Sequence, residues 1–452
     1  MTMQRYRVLI SDATAVTMVP HDLFRQNNVE LVFGHHKVSS FVKEHHAKHV
    51  VIPKEIAETL HLPQEDITIH VYASRGCLYI GPLVGIYTAG FSPVRIRPIG
   101  ERTPFFARLL QTKKTVGMIP FVFGSEHIQW TDQTINGWVW EEGEWRQRIF
   151  PFPTVVYDRL PNRRSERRRK NRITKDRLQT DYGVAWYNHN FFNKWHVTEL
   201  LAKDAATQRF VPDTVRLRDA TTLETMLKKH KTVYVKPIHG SLGKGIFQCF
   251  YRAKSGHYDV RYQEDGGEKR LRRFSSVQGV YDLIKEERKS VAMLVQQGIS
   301  LIQYEDRPLD FRVHVNKDQF GEWVISCVAI KVAGKGSATT HVKSGGEVKT
   351  IRECVPRDEQ DGLLHTIQEA SLTIGSVLDH HWEGLIGEVG LDIGMDTNGR
   401  VWIFEANSRP GRSIFKHPAL AEDEIRTREL PFLYACYVSE QQWIATSIGS
   451  SQ

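Results

Sequence analysis

Two apolar runs punctuated by acids carry the sharpest chemical signal in the chain. Glu388-Val389-Gly390-Leu391-Asp392-Ile393 and Val401-Trp402-Ile403-Phe404-Glu405-Ala406-Asn407 are joined through Asp396-Thr397-Asn398-Gly399, a strong turn signal. The spacing predicts a hairpin with Met395 opposite Arg400, Asp392 opposite Ile403 and Gly390 opposite Glu405. Glu388, Asp392, Glu405 and Asn407 then share one face. Carboxylates gathered on one face repel each other unless a cation sits among them. Oxygen donors of this kind suit Mg²⁺, which keeps waters and shares substrate phosphates. A polar face that simply meets water is the plainer alternative, but the strongly apolar flanks of each acid favour the metal.

The complementary charge lies upstream. Lys236 ends the apolar run Thr232-Val233-Tyr234-Val235-Lys236-Pro237, and a lysine on a buried strand is costly unless an anion or an acid meets it. Gly240, Ser241, Gly243, Lys244 and Gly245 follow in a loop whose glycines let backbone N–H groups approach an oxyanion. The loop fits neither the Walker pattern nor G-x-G-x-x-G, so alone it is no more than a glycine-rich turn. Met293-Leu294-Val295-Gln296-Gln297 ends an apolar strand in two amides, an edge suited to a purine. In Leu309 to Val315 alternation puts Asp310, Arg312 and His314 on one face, and Lys331 closes the run from Ser326. Arg312 and Lys331 form either a clamp for a phosphate or carboxylate or two halves of salt bridges.

The elements that must position these residues are legible in outline. Asn193-Lys194-Trp195 opens a helix with Val197, Leu200 and Leu201 on one face, and a second helix spans Thr222 to Lys229. Leu364, Ile367, Ile374 and Leu378 mark a longer helix ending at His380-His381. Upstream, a strand from Val84, a helix from Thr103 and a strand to Phe123 make an α/β unit, followed by a hairpin bearing Trp138, Trp140 and Trp145. Those tryptophans read as packing rather than as a base-stacking surface. The first 80 or so residues read as strands, with one short helix from Pro53 and a sheet wet on one side.

Together these blocks resemble the ATP-grasp superfamily and, more narrowly, the YheC/YheD family of endospore coat-associated ATP-grasp proteins. The matching motifs are Asn193-Lys194-Trp195, Val235-Lys236-Pro237, Gly240 to Gly245, Asp310-Phe311-Arg312, Gly390-Leu391-Asp392-Ile393 and Glu405-Ala406-Asn407-Ser408-Arg409-Pro410-Gly411. The resemblance implies an α+β ATP-grasp fold: a β-rich domain over residues 1–82, a preceding α/β unit over 83–185 and the ATP-grasp domain over 186–440. It implies that Lys194 and Lys236 contact ATP phosphates, that Gly240 to Gly245 forms their lid, and that Gln296 and Gln297 lie at the adenine hinge. Asp392, Glu405 and Asn407 match Mg²⁺ ligands, with Mn²⁺ as an alternative ion. Arg312, Lys331 and Arg409 match positions around the transferred phosphoryl group. The reaction implied joins a small-molecule or peptide carboxylate to an amine-type nucleophile through an acylphosphate. The rival implied by the same likeness is an ATP-binding spore-assembly protein with little turnover and coat proteins as partners.

Composition limits the field further. In 452 residues, 40% are hydrophobic and 25% charged, which excludes disordered and collagen-like classes. No run of about 18 apolar residues suggests a membrane span, and five scattered cysteines without a Cys-x-x-Cys pair suit a reduced, cytoplasmic protein. The net charge of +9 is local: Arg159 to Arg177 holds ten basic and two acidic residues. A nucleic-acid patch there is a third reading, disfavoured because no nucleic-acid fold accompanies it. His45 and His49, one helical turn apart, lack a third zinc ligand and read as an exposed polar stretch.

Overall fold

The computed structural model describes residues 4–74, 76–238, 245–264, 267–288, 291–334 and 345–449. The first segment is a closed barrel of seven strands, running Gln4–Ser11, His49–Pro53, Thr17–Pro20, His36–His45, Asn28–Phe33, Cys77–Ile80 and Ile67–Ser74 around the ring. Closure is more than the expected sheet, and it removes the exposed edges that an open sheet of short strands would leave. Apolar residues alternate inward, as in Ile69 and Val71 of Ile67–Ser74, and the helix Lys54–Thr59 packs on the barrel through Ala57.

A seven-stranded sheet follows, in which Leu83–Tyr87, Ile119–Phe123, Val155–Asp158 and Ala185–Tyr187 are parallel and the hairpin Thr134–Glu141/Glu144–Pro151 adds an antiparallel flank. Glu142 and Gly143 make its two-residue turn with φ of 51° and 82°, the left-handed pair that a type I′ hairpin requires. Trp140 faces Trp145 edge-on at 5.4 Å between ring centroids, and both pack on the apolar core, as expected of packing aromatics.

Two further sheets frame the cleft of interest. One is six-stranded and antiparallel, ordered Thr214–Arg216, Met293–Gln297, Thr232–Pro237, Phe247–Arg252, His257–Gln263, Lys269–Phe274. Helices Ala220–His230 and Val277–Glu287 cover one face of it through Leu223, Leu227, Val280 and Ile284. The other contains Glu347–Lys349, Trp323–Val332, Arg307–Lys317, Glu388–Met395 and Val401–Asn407, with Lys194–Lys203 and Arg357–His381 packed on its apolar side. The final helix, Ala421–Gly449, lies against the parallel sheet through Phe432, Tyr434 and Val438. Its Trp443 stacks on Tyr79 and Tyr72 of the barrel at 5.0 and 6.2 Å.

Candidate functional site

Alternation along Thr232–Pro237 sends Val233 and Val235 into the core and Lys236 to the opposite face. Lys236 is 8% exposed. Its Nζ donates to Gln296 Oε1 at 2.8 Å and to the Phe404 carbonyl, on the other sheet, at 3.1 Å. One ammonium therefore spans the two sheets next to Glu405. Burial, and then the nearby charge of Lys194, lower its pKa to about 7. Gln296 lies on this face and also donates to Thr214 Oγ1 at 3.1 Å. Gln297, one residue on, turns its side chain to the other side of the strand, where its Oε1 accepts from the Asp213 amide at 3.2 Å. The expected two-amide edge is thus a single amide, because adjacent strand residues point in opposite directions.

Lys194 is the first residue of its helix. The Asn193 side chain caps that helix by accepting from the amides of Trp195 and His196 at 3.0 and 3.2 Å, a device worth about 1 kcal/mol. The cap fixes the helix start, and Lys194 Nζ reaches Glu405 Oε2 at 3.1 Å.

The acidic hairpin forms, but in a different register from that counted along the sequence. Met395 faces Val401, Asp392 faces Glu405 directly, and Gly390 faces Asn407, with a bulge between Asp392 and Ile393. Two features shift the count. Asp396 folds the connection, its amide donating to the Arg400 carbonyl at 2.9 Å and its carboxylate accepting from the Asn398 and Arg400 amides, and Phe404 is the extra residue in the bulge. The bulge brings Asp392 and Glu405 abreast, so the two carboxylates are closer partners than the simple count allowed.

Lys331 donates to Asp392 Oδ1 at 2.7 Å and lies 3.0 Å from Asp310, while Arg312 donates to Asp392 Oδ2 at 3.0 Å. Burial by itself would lower the Lys331 pKa, but the charges of Asp310 and Asp392 outweigh it and raise it. Arg409 stands apart from this knot. It lies 2.9 Å from Asp158 and 3.2 Å from Glu166, and its Nε donates to the Asn188 carbonyl at 3.1 Å. Glu388 lies on the same face of its strand as Asp392, as expected, but its carboxylate accepts from Tyr157 Oη at 2.6 Å and Arg159 at 2.5 Å, which ties this sheet to the parallel sheet. Gly240, Ser241, Gly243 and Lys244 lie outside the described residues. Gly245 borders them at φ 72°, where a Cβ would sit 2.7 Å from Arg288 Nε.

Asp392, Glu405 and Asn407 offer two carboxylates and one amide on adjacent strands. That donor set suits an ion that keeps waters and shares phosphate oxygens, not one caged by protein alone. Among the described residues no group of three His, Cys, Asp or Glu side chains gathers to hold a metal.

The basic segment is drawn inward only in part. Arg159 holds Glu388, and Arg163 donates to the carbonyls of Phe191 and Phe192 at 3.2 and 2.6 Å. Lys170 lies 3.4 Å from Glu126, and Arg177 lies over the Trp130 ring at 3.9 Å. Arg164, Arg167, Arg168, Arg169 and Arg172 remain exposed. The sequence offered one signal of this inward use: Asn162, whose side chain caps the helix Arg163–Glu166 through the Ser165 amide, marks a structured helix start. His45 ends one strand and His49 begins the next, so helical spacing does not apply, and His45 Nε2 meets the His49 carbonyl at 2.8 Å. Among the described residues no helix is long and apolar enough to cross a membrane.

Comparison with known proteins places this arrangement. The profile described as YheC/D like ATP-grasp matches residues 183–438. The chain is 38% identical to the endospore coat-associated protein YheD of Bacillus subtilis (strain 168) over 448 residues, covering 98% of each chain. It is 23% identical to YheC of the same organism over 305 residues, 66% of this chain and 80% of that one. Among solved structures, the VanG D-Ala:D-Ser ligase from Enterococcus faecalis superposes with a TM-score of 0.46 at 12% identity, covering 79% of this chain and 99% of that one. The chain belongs to the YheC/D-like ATP-grasp family, and its fold is that of the ATP-grasp proteins.

Proposed function

We propose that this protein is a Mg²⁺-dependent, ATP-binding ligase that joins a carboxylate to an amine-type nucleophile through an acylphosphate. The observation that carries the reading is the Lys236 ammonium, which bridges the two sheets to the Phe404 carbonyl at 3.1 Å beside the Asp392–Glu405 pair. A triphosphate between these groups meets cations on one side and carboxylates able to share a metal on the other. Lys194 and Lys236 hold phosphate oxygens, and Gln296 faces the base. Arg312 and Lys331, which meet at Asp392, neutralise the transferred phosphoryl group, and Asp392, Glu405 and Asn407 would hold the metal. Bound Mg²⁺ supplies charge neutralisation at the phosphates.

The acid oxygen attacks the γ-phosphorus as the bond to ADP breaks, and the nucleophile then displaces phosphate from the acyl carbon. Catalysis of this kind is positioning and charge stabilisation and needs no protein nucleophile. In this reading residues 186–440 are the nucleotide-binding unit, 83–185 the preceding unit and 1–82 an appended barrel. The name of the YheD relative supports an association with the endospore coat. The test is release of ADP when purified protein, Mg²⁺ and ATP meet a panel of carboxylic acids and amines. Binding of Mg-ATP without ADP release from any pair would favour a nucleotide-binding coat protein instead.

A further inference from the structure

Beside the site just described, three guanidinium groups crowd two phenyl rings. Arg159 and Arg412 lie 5.2 and 5.8 Å from the Phe105 ring centroid, and Arg102 lies 5.5 Å from that of Phe106. Arg102 and Arg159 also meet through Thr88: Arg102 donates to the Thr88 hydroxyl at 2.8 Å, and that hydroxyl donates to the Arg159 carbonyl at 2.9 Å. The carboxylates that act on these cations are already engaged: Glu388 by Arg159 at 2.5 Å, and Glu424, near Arg412, by Arg428 and Arg108 at 3.0 and 3.5 Å. Arg102 otherwise donates to the Ala89 carbonyl, and Arg412 to the carbonyls of Thr427 and Glu424 at 3.5 and 3.2 Å. Among the described residues neither has a carboxylate at ion-pair distance.

The surroundings are short of partners too. Buried atoms without a hydrogen-bond partner include Arg412 Nε, Arg312 Nε, Glu388 Oε2 and both ring nitrogens of His314, whose ring sits 5.2 Å from that of Phe415, on which Arg412 also stacks. Burial, and then repulsion from Arg159, lower the Arg102 pKa to about 10. Guanidinium groups stay charged in proteins, so uncompensated ones in a half-buried setting mark a place for an anion. Ala89 and Gly90, just past the carboxyl end of the parallel strand Leu83–Tyr87, lie against Arg102, on the usual ligand side of such a sheet.

We infer that Arg102, Arg159 and Arg412 frame a subsite for a second anionic group, so that the acid substrate carries a carboxylate or phosphate besides the carboxyl that is activated. The inference rests on the ligase reading and narrows its substrate to dianionic acids.

The test is calorimetric titration of the full chain, preloaded with Mg-ADP, using glutarate, its monoamide, and 3-phosphopropionate. Glutarate and 3-phosphopropionate should each bind at least about tenfold tighter than the monoamide, and their ranking separates a carboxylate subsite from a phosphate one. Arg102→Gln should remove most of that preference while Arg102→Lys keeps part of it, and both should leave Mg-ADP affinity unchanged. Equal binding of these two acids and the monoamide, or a preference untouched by Arg102→Gln, overturns the inference. Failure to bind Mg-ADP would instead overturn the ligase reading, since Arg102 takes no part in holding the nucleotide.

Discussion

Lys236→Met tests the nucleotide site most directly. In the folded, ligand-free chain the Lys236 pKa is about 7, because burial and then Lys194 disfavour its charge. At pH 8 only about one-tenth of the molecules then carry a proton on Lys236. A bound triphosphate supplies a counter-charge and restores an ordinary lysine pKa near 10.4, so the ammonium becomes almost fully charged. Binding of Mg-ATP at pH 8 should therefore take up about 0.9 proton. Phosphate groups, with a second pKa near 6, are already ionised at that pH and contribute little. Isothermal calorimetry in two buffers of different ionisation enthalpy reads the uptake directly. Lys236→Met should abolish it and weaken binding by roughly 10- to 150-fold, the worth of a charged hydrogen bond. Buffer-independent heats for the unmodified protein at pH 8 would refute the argument. The same linkage fixes the sign for stability. From pH 7 to about 10.5 the unfolded chain holds a proton that the folded one lacks, so ligand-free stability gains from this group as pH rises and bears its full penalty below pH 7.

Other perturbations probe the supports of the site. Asp392→Ala leaves Lys331 and Arg312 without the carboxylate they share at 2.7 and 3.0 Å, and should cost about 3–5 kcal/mol in urea unfolding at pH 7. Asn193→Ala should cost about 1 kcal/mol by losing the cap, with Asn193→Asp recovering most of it, and Mg-ATP affinity should follow because Lys194 begins the capped helix. Trp443→Ala should cost roughly 3–5 kcal/mol and make the barrel more susceptible to limited proteolysis, since Tyr72 and Tyr79 lose their shared stacking partner.

Local pattern located most of the elements that carry the candidate residues. The strand ending in Lys236, the helix opened by Asn193 and Lys194, and the two acidic runs all form where the residues indicate, because alternation, capping and turn chemistry act over a few positions. What local pattern misses is geometry set by other parts of the chain. The hairpin register depended on Asp396 and on a bulge at Phe404, which no two-residue alternation encodes. Closure of the barrel depends on the pairing of Gln4–Ser11 with both His49–Pro53 and Ile67–Ser74. Arg159 and Arg163 look like any other members of a basic run, yet tertiary partners draw them inward. Gln296 and Gln297 are alike in type but not in partners, because neighbours on a strand face apart.

The pairing of Lys194 with Glu405, and of Lys331 and Arg312 with Asp392, has a thermodynamic corollary. A cleft whose opposite charges already satisfy one another resists either visitor alone: a bare polyphosphate strands the acids, and a bare divalent ion strands the lysines and the arginine. Arriving together, the two exchange partners with the protein and leave no charge uncompensated. Nucleotide and metal should thus enhance each other's occupancy reciprocally, by a factor beyond their association in free solution.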